Sequence, residues 1–160
     1  MTFYTRRFGN VEVPQDKVIR FADGIPGLEC MKSCIFVKVE ETFPFYWLQS
    51  VEDGDVALPV IDPVIVDPAY SPAVEDGVFE ELQIAAEQDL LVVVIAVIPE
   101  DIRKMSANMA APLLINLNKN LGKQVVLNNS DYKVRTPVYE AVCAKMKEEL
   151  ERAGADEKVE

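Results

Sequence analysis

Most of this chain changes between apolar and polar residues with a period near two, and turn residues interrupt it every eight to twelve positions. "FYTRRFGNVEV" (3–13) reads as two short alternating segments meeting at Gly9-Asn10, a dipeptide that accepts the positive φ of a tight hairpin. "VIRF" (18–21) is a short strand, and Pro26-Gly27 supplies the fixed and the positive φ of a type II turn. Residues 33–40 and the aromatic "FPFYWLQSVED" (43–53) read as two further strands. In 57–70 the steps Asp62-Pro63 and Asp67-Pro68 argue against both a helix and a central strand, which leaves strand ends, bulges or turns. Residues 78–87 place Phe79, Leu82 and Ala86 at helical spacing. "DLLVVVIAVI" (89–98) has no charge after Asp89 and reads as a central strand covered on both faces. Residues 101–109, 112–118 and 123–128 complete about nine β segments.

The period changes at the end. In 136–155, Thr136 is placed to cap a helix, Pro137 suits its first turn, and Val138, Val142, Met146 and Leu150 form one stripe. An amphipathic helix that docks on its own domain is the expectation, with 156–160 frayed. The fold class is therefore mainly β, a barrel or a sandwich of about nine short strands, with short helices and a C-terminal helical extension over 136–160. Trp47, Val92, Val94, Ile95, Leu114 and Val125 are the expected core.

Composition narrows the function classes. At 160 residues and 49% hydrophobic, the chain supports one core without metals or crosslinks. The apolar run 90–98 is too short to cross a bilayer, and the N-terminal residues lack a signal-peptide core, so a cytoplasmic protein without a membrane partner is expected. Cys30, Cys34 and Cys143 form no CxxC pair and read as bystander thiols. The net charge is −11, and its distribution says more than its size. Between Lys38 and Arg103 there is no Lys or Arg, while 39–102 hold fifteen carboxylates. This excludes the clustered bases of a direct nucleic-acid binder, and it describes either a solvated face or a surface that attracts a basic protein.

No histidine is present, which removes the usual general base and the Ser-His and Cys-His pairs. Asp53 and Asp55 resemble the start of a calcium loop, but Val56 and Ala57 do not continue it, so the segment reads as a hairpin tip. Asp62 and Asp67 could be an acid/base pair, yet an Asp-Pro step is first a turn device. No phosphate loop or cofactor motif occurs, and no cofactor is expected. The carboxamides of Asn108, Asn116 and Gln124 lie in three successive β segments. Because an unpaired buried amide costs about 1–3 kcal/mol, they read as a structural brace, by an amide ladder or strand-to-turn bonds, ahead of a direct partner contact.

"GIPGLE" (24–29), "PFYWLQSVEDGDVALPVIDP" (44–63), "SANMAAPLLINLNKNLGKQVVL" (106–127) and "YKVRTPV" (132–138) resemble, in order and spacing, the FliW family of flagellar assembly factors. Leu28 and Met109 stand where that family often has Phe and Leu, and the segment from Thr136 onward extends past the resemblance. The resemblance implies a small closed or partly open β-barrel-like domain over 1–135 and no enzymatic activity. It implies cytoplasmic binding of flagellin and, in exclusive alternation, of the RNA-binding translational regulator CsrA, which relieves repression of flagellin mRNA. Candidate partner contacts are the apolar Phe45, Trp47 and Leu48 and the acidic Glu52, Asp53 and Asp55. A carboxylate-based enzyme with Asp62 or Asp67 in a pocket, and a structural oligomer with Phe45 and Trp47 at a self-interface, are the alternatives.

Overall fold

The computed structural model describes residues 2–28, 31–128 and 131–159, with side chains as far as 153. Cys30 lies outside the described residues. Seven strands close into a barrel in the order β7 (Leu90–Val97), β6 (Ala57–Ile61), β5 (Tyr46–Ser50), β4 (Ser33–Lys38), β3 (Ile19–Phe21), β10 (Leu121–Gln124) and β9 (Leu113–Asn116). The ring closes where Leu90–Val93 of β7 pair antiparallel with Leu113–Asn116 of β9. Only β3 and β10 run parallel within the ring. The two-residue strands β8 (Ser106–Ala107) and β11 (Thr136–Pro137) extend β7 beyond the ring.

Alternation sorts the strand residues into two cores. Ile19, Phe21, Leu48, Val60, Val93 and Ile115 point inward and fill the barrel. Ile61, Val94, Ala96 and Ala107 point outward and form a second core with Phe45, Val138 and Val142. That outer core lies beneath the short helix α1 (Pro63–Val66) and the long helix α3 (Tyr139–Val159). Strand β7 is thus buried on both faces, with Val93 facing one core and Val94 the other. At the rim of the second core, the Tyr70 hydroxyl donates to the Met109 carbonyl at 2.8 Å. Burial, and then the neighbouring Tyr132, push the Tyr70 phenol up to about 12, so it stays protonated and keeps donating.

Several expectations change. The N-terminal hairpin is β1 (Thr2–Thr5) with β2 (Gly9–Glu12), and it turns at Arg6–Phe8 rather than at Gly9-Asn10. The Thr5 hydroxyl accepts from Phe8 N and donates to Gly9 O, and Gly9 supplies the positive φ of +70°. The Asp62-Pro63 step begins a helix: Asp62 Oδ1 accepts from Val64 N, and proline at the first helical position loses no helical bond. Pro59 lies within β6, opposite Trp47 of β5, where pairing to β7 has not yet begun. Thr136 and Pro137 are strand residues, and α3 starts at Tyr139 and runs through Val159 instead of fraying at 156. Helix α2 covers Asp76–Glu81 and ends before Gln83, whose φ is +57°. Residues 101–109 contribute a 3-10 turn at Ile102–Lys104 and the two residues of β8. Strand β10 occupies 121–124 rather than 123–128. Val92 and Val125 are only half-buried; Val93 takes the inward place on β7.

Gly122 of β10 pairs with Phe21, and a Cβ there would lie 2.5 Å from the Phe21 ring, which is fully buried. The barrel closes on β10 by leaving that place to the ring. Gly122→Ala is expected to cost about 1–3 kcal/mol, read from the urea midpoint at unchanged slope. An unaltered midpoint would show that the ring moves aside freely.

Candidate functional site

Strand β5 and the residue before it carry the apolar side chains that the sequence marks as a contact surface, and the fold covers them. Leu48 points into the barrel and has no exposed surface. Phe45, 5% exposed, belongs to the second core. Trp47, 7% exposed, lies under the N-terminal hairpin. Phe8 meets its ring edge-on at 5.9 Å, the Arg7 guanidinium sits 4.3 Å from the ring centroid, and Trp47 Nε1 donates to Thr42 Oγ1. These three side chains are therefore neither a free patch nor a self-interface. Of the aromatics in 43–47, Trp47 is buried under the hairpin and Phe45 in the second core, while Phe43 and Tyr46 stay partly open.

Glu52, Asp53 and Asp55 are exposed together at the β5–β6 hairpin tip. The tip is organised by main-chain bonds: Ser50 Oγ accepts from Glu52 N and Asp53 N, Asp53 Oδ1 from Asp55 N, and Glu52 Oε1 from Ser33 N. Beside it, Arg6, Arg7, Gln49 and Asp55 border a cleft of about 420 Å³. Gln49 is fully buried and donates through Nε2 to the Ser50 and Val56 carbonyls, while its Oε1 has no hydrogen-bond partner among the described residues. Gly54 allows the hairpin to approach, because a Cβ there would lie 2.3 Å from Tyr4 O. Gln49 escaped the sequence reading, though an amide inside "YWLQS" is the same signal that singled out Asn116.

The three marked carboxamides do not form a ladder; each reaches main chain. Asn116, 1% exposed, donates through Nδ2 to Leu82 O at 2.8 Å and Gln83 O at 3.0 Å, and its Oδ1 accepts from Asn118 N and Lys119 N. One side chain thus ties the end of α2 to β9 and shapes the turn after it. Lys123 ties α2 a second time, to Glu81 at 2.7 Å with Asp23 at 3.5 Å, and the Glu81 bond chiefly raises its pKa. Gln124 Nε2 donates to Ala111 O, and Asn108 Oδ1 accepts from Ala110 N.

Chemistry finds little support in the geometry. Asp62 and Asp67 accept main-chain bonds from Val64 and Ala69. Among the described residues no group of three or more His, Cys, Asp or Glu could hold a metal ion, and no helix is long and apolar enough to cross a membrane. Cys34 is buried and Cys143 exposed.

A second cleft, of about 350 Å³, separates the β4–β5 connection from the far half of α3. Phe43, Pro44 and Tyr46 border it on the barrel side, Met146 and Leu150 on the helix side.

The FliW protein family model matches residues 2–138. This chain belongs to the FliW family. It is 40% identical over 141 residues to the flagellar assembly factor FliW of Thermoanaerobacter pseudethanolicus, covering 88% of this chain and 94% of that protein. It is 41% identical over 136 residues to that of Caldicellulosiruptor bescii, covering 85% and 89%. A crystal structure of the flagellar assembly factor FliW superposes with a TM-score of 0.80 at 34% identity, covering 86% of this chain and 96% of that one. The span matched by the FliW model holds the barrel, the acidic tip and all three carboxamides, and it ends at the residue before α3.

Replacing Asn116 with Leu strands two carbonyls and two amide N–H groups at the α2–β9 junction. Asn116→Leu is expected to lower the unfolding free energy by about 1–3 kcal/mol, measured by denaturant titration. An unchanged midpoint would mean that water replaces the amide without loss.

Proposed function

We propose that the chain is a flagellar assembly factor that works by protein binding in the cytoplasm, without catalysis. It binds flagellin and, in exclusive alternation, the translational regulator CsrA, and so relieves repression of flagellin mRNA. Family membership supports the flagellar role. The observation that carries the binding mode is the segregated charge: residues 39–102 hold fifteen carboxylates and no Lys or Arg. Much of this charge stands exposed on the hairpin tip and around α2. Such a surface steers a basic RNA-binding protein and repels phosphate. Two local features temper it: Arg6 and Arg7 border the cleft beside the tip, and Glu81 is paired with Lys123. The outer carboxylates of the tip and of α2 are thus one unpaired part of that field.

Neutralising Glu52→Gln, Asp53→Asn and Asp55→Asn keeps an acceptor for every main-chain bond at the tip, so charge is removed without undoing the turn. Stopped-flow association with purified CsrA is expected to slow roughly 10-fold from low to moderate salt in the parent. The slope should be shallower in the variant and shallower again when Glu75, Asp76 and Glu80 are also neutralised. Equal salt slopes for flagellin and CsrA, or slopes unchanged by neutralisation, would reduce the acidic stretch to a solubility feature.

A further inference from the structure

Helix α3 spans 21 residues, about 31 Å, and among its described side chains the buried ones lie at its beginning. Val138 and Val142 are buried in the second core. The same stripe then runs past the barrel: Met146 is 43% exposed and Leu150 73%. Across from them, the β4–β5 connection presents Phe43, Pro44 and the 41% exposed Tyr46, and the two walls enclose the 350 Å³ cleft. An apolar stripe at i, i+4 facing an apolar wall is the form of groove into which another helix lays its own stripe.

We infer that this groove docks an amphipathic helix of a partner protein whose apolar stripe is flanked by Lys or Arg. Charge selects the occupant. Glu40 and Glu149 border the groove, and Glu41 follows in the same turn as Glu40. Among the described residues neither Glu40 nor Glu41 has an ion-pair partner. Of the bases of α3 near the groove, Lys145 and Arg152 face Glu148 and Glu149 and Lys147 is not on the lining, where Lys38 is the base. A second copy of this chain would bring another net charge of −11 against the first, which opposes self-pairing at this face. A helix with basic flanks places its apolar side on Phe43, Tyr46 and Leu150 and its charges against Glu40 and Glu41. The groove is separate from the hairpin tip, and the inference rests on the proposed function only in taking the chain to be a protein-binding factor.

The test uses the full chain and a fluorescein-labelled synthetic helix of about 18 residues with a leucine stripe and lysine elsewhere, beside the same peptide with glutamate for lysine. Anisotropy is expected to show binding of the lysine peptide and at least tenfold weaker binding of the glutamate peptide. Leu150→Glu, at an exposed helical position, should weaken the lysine peptide at least tenfold. Glu40→Lys with Glu41→Lys, at an exposed turn, should weaken the lysine peptide and strengthen the glutamate one, so the inference does not depend on α3 tolerating a substitution. Circular dichroism confirms that each variant keeps its fold. No binding of the lysine peptide, equal binding of both peptides, or binding indifferent to both variants would overturn the inference. So would a dimer by light scattering that Leu150→Glu dissociates, since the occupant would then be a second copy. Purified flagellin and CsrA are measured in parallel: loss of both alongside intact lysine-peptide binding removes the proposed function and leaves the groove, and the reverse removes the groove alone.

Discussion

Closure of the barrel along β7 is the constraint on which the other features depend. One strand must pair with β6 on one edge and with β9 and then β8 on the other, while both of its faces are buried. Leu90–Val97 is built for this, with eight consecutive apolar residues and no side chain that requires water. Inward residues complete the barrel core, and outward Val94 and Ala96 become the floor on which α1 and α3 rest. A single strand thereby makes the barrel and its helical covering one packed unit.

What lies outside the barrel is fastened by a few polar groups placed where apolar packing is thin. Asn116 holds the end of α2 by main-chain carbonyls, Lys123 adds an ion pair to Glu81, and the hairpin over Trp47 is set by a ring contact, a guanidinium and the Arg6–Gly54 bond. Each amide bonds to backbone because backbone groups at strand ends and turns are what the ladder leaves unpaired. The coverings differ in how completely they finish their work. The hairpin and α1 cover what they meet, while α3 leaves half its stripe and the wall opposite it in solvent. Two surfaces of different physics result, an acidic one at the hairpin tip and around α2 and an apolar groove beside α3 bordered by Glu40 and Glu149.

The β-rich pattern, the central strand at 90–97, the C-terminal helix, the charge segregation and the family resemblance were legible in the sequence alone. Each depends on residues near one another in the chain, where period, turn chemistry and composition act directly. Burial of Phe45, Trp47 and Leu48 was not legible, because an aromatic cluster reads alike whether it is covered by solvent, by a partner or by a distant part of the same chain. Here Arg7 and Phe8, about forty residues earlier, cover Trp47, a helix that begins at Tyr139 covers the core that holds Phe45, and ring closure encloses Leu48 in the barrel. The partners of Asn116 were hidden for the same reason, since Leu82 and Gln83 are more than thirty residues away. Sequence thus determined that the chain is mainly β, where its long central strand and terminal helix lie, where charge gathers and which side chains need a bond. Tertiary structure alone decided which faces are covered and which stay open, because covering is a property of contacts between segments remote in the chain.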